Sequence, residues 1–291
     1  MNPRVHAIRL ALRRGWIEFR QSFTSPQDLW NYFGFSLVFL FVLMFQRPFL
    51  DGADMPGIAG TSLSYLAVTV PGVVAMLLVT GSVLSTAQFL TAEREDGTLL
   101  RAKAMPRGMT GYMGGKVLCV SAMTLLSMLV FLVPSILVFD GLPSGDTSGL
   151  LVLLWSVPLG ILATMPLGAI LGSLLPSPRA AMGVTVLPLM VVCLISGVFF
   201  PIDVMPEAVQ VLAQVFPVYW LAMSMRSAFL PDALASVEIG ESWRHLEAAG
   251  VLGAWAVAGL LIAPFVLRRM ARRESGAVVE QRRHKAMQRV A

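Results

Sequence analysis

Long stretches without Asp, Glu, Lys or Arg alternate along the chain with short charged segments. The uncharged runs cover residues 29–46, 55–92, 117–139, 147–178, 180–202, 208–225 and 248–267. About 20 apolar residues cross a bilayer as an α-helix. Six runs therefore predict spans over 29–46, 65–90, 117–139, 150–174, 180–200 and 248–267. Run 55–92 is too long for one span, and its start, with Pro56, Gly57 and Gly60, reads as a loop. Run 208–225 contains Gln210, Gln214 and Pro217 and sits between Asp203/Glu207 and Arg226/Asp232. It predicts a broken, re-entrant or interfacial helix pair, with an ordinary helix on the membrane surface as the alternative.

Ahead of the first span, Val5, Ile8, Leu12, Trp16, Phe19 and Phe23 recur at steps of three and four and form one helical stripe. Arg9, Arg13 and Arg20 flank it. A basic helix with an aromatic stripe lies in the membrane interface, its arginines near anionic headgroups. It serves as a plain anchor or docks on a partner.

Composition agrees with the pattern. Only 13% of the 291 residues are charged and 56% are hydrophobic, where a soluble domain is about 25% charged. A disordered chain is excluded and a water-soluble enzyme is disfavoured. Cys119 and Cys193 lie inside uncharged runs and read as inert buried thiols. His6, His245 and His284 are far apart, so no metal cluster is expected. The first 27 residues carry five arginines and no apolar leader stretch.

Positive charge sets the expected topology. Of 22 Lys and Arg, five lie before the first span and five lie between spans two and three (Arg94, Arg101, Lys103, Arg107, Lys116). Arg179 separates spans four and five, and eight more follow Leu267. Basic residues accumulate on the cytoplasmic side. Six spans with both termini inside place all of these there and leave only Arg47, Arg226 and Arg244. A full crossing by run 208–225 would put the eight-charge tail outside. The expected fold is an all-α polytopic membrane protein with six transmembrane helices. An N-terminal amphipathic interfacial helix (1–28) precedes the six-span domain (29–267), which has outer re-entrant helices (201–230) before its last span. A basic cytoplasmic tail (268–291) follows.

The segment 91–116 reads Glu93-Arg94-Glu95-Asp96-Gly97-Thr98-Leu99, then Arg101, Lys103, Pro106 and Arg107, then Gly114-Gly115-Lys116. Thr98 can cap a short helix there, ended by Pro106 and Gly108. Such a helix could pass force from a soluble partner to the spans; a solvated loop that only sets topology is the alternative. Gly115-Lys116 is not a P-loop, because Thr110 and Val117 stand where glycine and Ser or Thr are required. Any ATP-driven work needs a separate subunit. Ionisable groups are absent from the span cores, which disfavours proton relays, ion pumps and intramembrane proteases. Gly168 and Gly172 permit close helix packing. Met182 and Met190 fill core or line a plastic apolar cavity.

Two patterns carry a family resemblance. Glu93-Arg94-Glu95-Asp96-Gly97-Thr98-Leu99 with Pro106 and Lys116 resembles the E-x-E-x-G-T-L…P…GK loop of the permease subunits of type-2 ABC exporters, the group that includes daunorubicin-resistance permeases. Ser196-Gly197-Val198-Phe199-Phe200-Pro201-Ile202-Asp203, then Pro206, Pro217, Tyr219 and Arg226, resembles the SG-x-x-FP…P…P…Y…R region of the same family. The resemblance implies a plasma-membrane permease without enzymatic activity, moving an amphipathic drug, secondary metabolite or lipid-like cargo outward. Lipid or polysaccharide export and a non-transporting sensor or scaffold are the alternatives. It implies a second permease and two cytosolic ATPase subunits that bind ATP and Mg, with no cofactor in this chain and no nucleic-acid partner. It makes Glu93, Glu95, Gly97, Thr98, Leu99, Pro106 and Lys116 the coupling residues, with the acids offered to arginines of the ATPase or the N-terminal helix. It makes Phe200, Pro201, Asp203, Pro206, Pro217 and Tyr219 an exit cap. Spans two and five would line the cargo cavity, through Met76, Thr80, Met190 and Leu194.

Overall fold

A computed structural model describes residues 3–50, 65–105, 108–139, 147–200 and 202–273. Every regular element among them is helical: α1 (Pro3–Ser22), α2 (Pro26–Leu50), α3 (Tyr65–Glu95), α4 (Thr98–Ala104), α5 (Gly108–Val138), α6 (Thr147–Leu174), α7 (Pro178–Ile195), α8 (Glu207–Val215), α9 (Pro217–Phe229) and α10 (His245–Arg273), with short 3-10 turns at Ile202–Val204 and Asp232–Val237. Six helices are long and apolar enough to cross a membrane: α2, α3, α5, α6, α7 and α10. These are the six runs expected. Because they alternate in direction, α1, α4, the start of α5 and the end of α10 share one end of the bundle, here called the basic end.

The layout is a ring of helices around α3. The most apolar stretch of α3 is 89% buried by the chain's own side chains, against 17% for α7 and 22% for α2. Small residues bring α6 onto α3. A Cβ on Gly172 would stand 2.8 Å from Ala87 O, and one on Gly168 would intrude on Val83 O, so two helical backbones meet where any side chain would force them apart. Between the same helices, the hydroxyls of Ser82 and Thr164 pair at 2.6 Å. The bare outer faces of α2, α7 and α10, with Phe41, Leu187 and Leu261 all exposed, are apolar surface that a bilayer or another chain must cover.

The helix α1 uses two faces differently. Toward α5 it presents Ala11, Gly15 and Ser22. A Cβ on Gly114 would lie 2.7 Å from the Ala11 Cβ, and one on Gly15 would lie 3.0 Å from Gly115 O. The stripe read from the sequence points mainly elsewhere: Leu12, Trp16 and Phe23 are exposed, and Trp16, Phe19 and Phe23 stack along it. So α1 is clamped to the bundle by its small face and leaves its aromatic face uncovered by the chain.

Two expectations change in detail. The segment 91–116 is mostly helical: α3 continues to Glu95 and α5 begins at Gly108. Lys116 is thus no loop residue; it lies about two turns into α5, the third membrane helix, and Gly108 opens a helix rather than closing one. The start of the run at 55, the prolines Pro106 and Pro201, and the tail beyond Arg273 fall outside the described residues.

Candidate functional site

At the basic end, three elements converge on one lysine. Lys116 Nζ lies 2.6 Å from Glu93 Oε1, at the foot of α3, and 2.8 Å from Glu18 Oε2, on α1. The side chains of Lys116, Glu18 and Glu93 are only 12%, 16% and 13% exposed. The Tyr112 hydroxyl donates to the other oxygen of Glu93. Arg14 donates to Glu18 at 2.7 Å and places its guanidinium 4.7 Å from the centre of the Tyr112 ring. Phe89 takes Lys116 on its face, 4.5 Å from the ring centre. Two acids and two bases compensate one another at the membrane edge, where an unpaired charge would be costly. The sequence expectation offered Glu93 to arginines; its partners here are Lys116 and Tyr112, and α1 contributes an acid to the same lysine. Glu18 and Tyr112 were missed because their nearness to Glu93 is long-range, with no helical or motif period; Phe89, one turn before Glu93 on α3, did carry a helical-period signal.

Below this joint the chain turns sharply. Gly97 has φ 78°, a left-handed conformation costing roughly 1–2 kcal/mol for other residues. Thr98 begins α4, as expected, but does not cap it: Asp96 Oδ1 accepts from the Thr98 N–H at 2.7 Å. Leu99 and Ala102 are buried against Leu90, Tyr112, Leu267 and Met270, from α3, α5 and α10. The opposite face of α4, with Arg101 and Lys103, is exposed. Arg94 reaches the end of α6 and donates to the carbonyls of Gly172, Ser173 and Leu175 at 3.0–3.1 Å, a cation on a helix C-terminus. Short helix α4 is therefore rooted in three membrane helices and shows a basic face outward. Glu95 lines a separate cleft, against Arg179 and Ser177.

At the other end, α8 and α9 meet at a 92° bend. Pro217 is the first residue of α9, where its missing N–H costs nothing and its fixed φ favours the helix; it starts a helix rather than breaking one. The bend strands the last carbonyls of α8, and two indoles satisfy them: Trp220 donates to Gln214 O at 2.7 Å and Trp255 to Val215 O at 2.8 Å. Val218 through Arg226 are buried, so α9 is inside the protein and not a surface helix. Helix α8 lies outside, with Val211, Leu212 and Val215 exposed. Tyr219 is fully buried and its hydroxyl reaches Met223 Sδ at 3.7 Å. Arg226 makes a buried ion pair with Glu238 and donates to Gly197 O at 2.8 Å, tying α9 to the turn after α7. Glu238 was not anticipated. Phe200 is half-buried in that turn, whereas Asp203 and Pro206 are exposed before α8.

The four cavity candidates lie on two helices, α3 and α7. Met76 and Thr80 are buried on α3, where Thr80 Oγ1 donates to Met76 O at 2.7 Å. Met190 is half-buried and Leu194 exposed on α7.

A bundle of six membrane-length helices, with a charged elbow at one end and a bent helix pair at the other, defines an all-α polytopic membrane protein. Residues 54–265 match the family of ABC-2 family transporter proteins, and the chain belongs to that family. It is thus a membrane permease of an ABC transport system, and the family implies a partner ATP-binding subunit. No curated protein matches the chain.

Proposed function

We propose that this chain is the permease of an exporter that moves an amphipathic drug, metabolite or lipid-like molecule outward, paired with a second permease and two cytosolic ATPase subunits. In this reading the basic end faces the cytoplasm, in keeping with the positive-inside rule. The observation that carries it is the joint at Lys116. A helix short enough to be a contact element, α4, hangs directly below an ion-paired junction of α1, α3 and α5, and α3 is the helix on which the others pack. Displacing α4 or α1 from below must either move the foot of α3 or break buried charge pairs. Movement is the cheaper response, so an ATPase pushing on the elbow repositions the core of the permease. The bent pair α8–α9 would cap the outer exit, its angle held by Trp220, Trp255 and the Arg226–Glu238 clasp.

Co-purification with a cognate ATPase, followed by cargo-stimulated ATP hydrolysis in proteoliposomes, tests the assignment. Glu93→Ala and Glu95→Ala should each abolish cargo export per inserted permease while membrane insertion is retained. Wild-type export in both variants and in the double variant would refute the coupling role.

A further inference from the structure

On the outside of the bundle a groove of about 540 Å³ runs between α2 and α5, beginning at Phe23 in the turn after α1. Its walls are apolar and include Trp30, Gly34 and Leu37 on α2 and Leu126 and Val130 on α5. From Pro26 to Leu37 it follows α2 for about 17 Å. That is close to the depth of one leaflet in a bilayer whose hydrocarbon core is about 30 Å thick. A Cβ on Gly34 would stand 3.0 Å from the Trp30 ring, so a side chain there would lift the indole off α2. Trp30 is 63% exposed, and its N–H donates to no described residue. A tryptophan one turn into a membrane helix sits at the interface, with its ring in the apolar layer and its N–H at the polar edge.

The mouth of this groove is basic. Arg9, Arg13 and Arg20 recur at steps of four and seven on α1, so they share one edge of the helix. By the 3.6-residue period that edge lies roughly 60° round from the stripe of Leu12, Trp16 and Phe23. All three arginines are exposed, and none is ion-paired to a described residue. Arg20 is one turn from Phe23. No acid lines the groove: Glu18 is taken by Arg14 and Lys116, and Asp28 lines the cleft toward α3 and α7.

We propose that this groove holds an acyl chain of an anionic phospholipid from the leaflet at the basic end, with the phosphate at Arg20 and further anionic headgroups along Arg13 and Arg9. A guanidinium can pair a phosphate through two parallel hydrogen bonds. The acyl chain supplies the contacts that the apolar walls lack within the chain. A neutral headgroup leaves the three cations without an anion. A helix of a second copy, about 10 Å across, would displace about 1,300 Å³ over this depth, more than twice the groove. The inference goes beyond the export reading, because it concerns a resident membrane lipid and not the cargo, and binding is measured on the permease alone.

Phosphatidylglycerol with a diazirine on its acyl chain is the probe, added in trace to phosphatidylcholine nanodiscs holding the full chain, with equally labelled phosphatidylcholine as comparison. Mass spectrometry should place phosphatidylglycerol on residues 23–37 and 126–130, roughly tenfold above phosphatidylcholine. Arg20→Gln should lower that preference roughly fivefold, the worth of one arginine at an anionic surface. Replacing Arg9, Arg13 and Arg20 together by glutamine should erase it. Leu37→Trp adds bulk at a position 52% exposed, so it fills the groove without crowding the core and should lower labelling of these segments by both lipids. Equal labelling by the two headgroups, label spread evenly over the exposed faces of α7 and α10, or a preference that survives loss of all three arginines would overturn the proposal. A disulfide between two Leu37→Cys chains in the bilayer, with no lipid label in the groove, would put a second copy there and would also overturn it.

Discussion

Replacing Lys116 by methionine keeps the length and apolar stem of the side chain and removes only the charge. In the native joint one ammonium lies 2.6 Å from Glu93 and 2.8 Å from Glu18, with all three side chains less than a fifth exposed. Removing it leaves two carboxylates facing each other at the membrane edge. Arg14 holds one of them, and Tyr112 gives the other a neutral donor. Breaking a buried pair by deleting one partner costs about 3–5 kcal/mol, whereas exchanging the whole pair for neutral groups of similar volume is often neutral or stabilising by about 1–4 kcal/mol. An exposed surface pair would be worth only about 0–1 kcal/mol. Lys116→Met should therefore destabilise the permease by about 3–5 kcal/mol. Adding Glu18→Gln and Glu93→Gln in the same chain should restore most of that. Reversible unfolding in mixed micelles, followed by tryptophan fluorescence, measures both. The restored triple variant has a folded bundle without the ionic tie, so its reconstituted complex should hydrolyse ATP without moving cargo. A loss below 1 kcal/mol for Lys116→Met, or no recovery in the triple variant, would refute the description of the joint as a buried, mutually compensated cluster.

Gly168→Leu should push α6 from α3, because its Cβ would already intrude on Val83 O; overpacking of this kind costs about 1–3 kcal/mol and is read by the same unfolding assay. Arg226→Ala should cost about 3–5 kcal/mol, leaving buried Glu238 without its partner, and Arg226→Lys should rescue poorly, since an ammonium lacks the planar fork that serves Glu238 and Gly197 O together. In a background where buried Cys119 and Cys193 are left in place, a cysteine at Ser236 should react with an impermeant maleimide on intact cells. One at exposed Met105 should react only after permeabilisation. The reverse result would invert the proposed topology.

The six spans were legible in the sequence because the bilayer imposes a one-dimensional requirement: about 20 consecutive apolar residues. That count needs no knowledge of neighbours; run 208–225 was set apart instead by Gln210, Gln214 and Pro217 and by the basic tail, and the structure gives it as two helices at a 92° bend. The positions of Gly168 and Gly172 at a helix contact followed from local backbone chemistry in the same way. Which residues those helices bring together is a different kind of information. The apolar pattern says that α3 is a membrane helix, but not that it is the one at the centre. Met76 and Thr80 look as free to line a cavity as Leu194 does, until the packing of α5, α6 and α9 buries them. Charges were misread for the same reason. Lys116 looked like a loop base beside a glycine pair, and Glu18 drew no reading. Only the close approach of α1 to α5, through Gly15, Gly114 and Gly115, sets Glu18, Lys116 and Glu93 within one ion-pair distance of each other. Desolvation at that contact gives the three charges their worth. Local chemistry wrote the helices, and tertiary proximity decided which of their polar groups are partners.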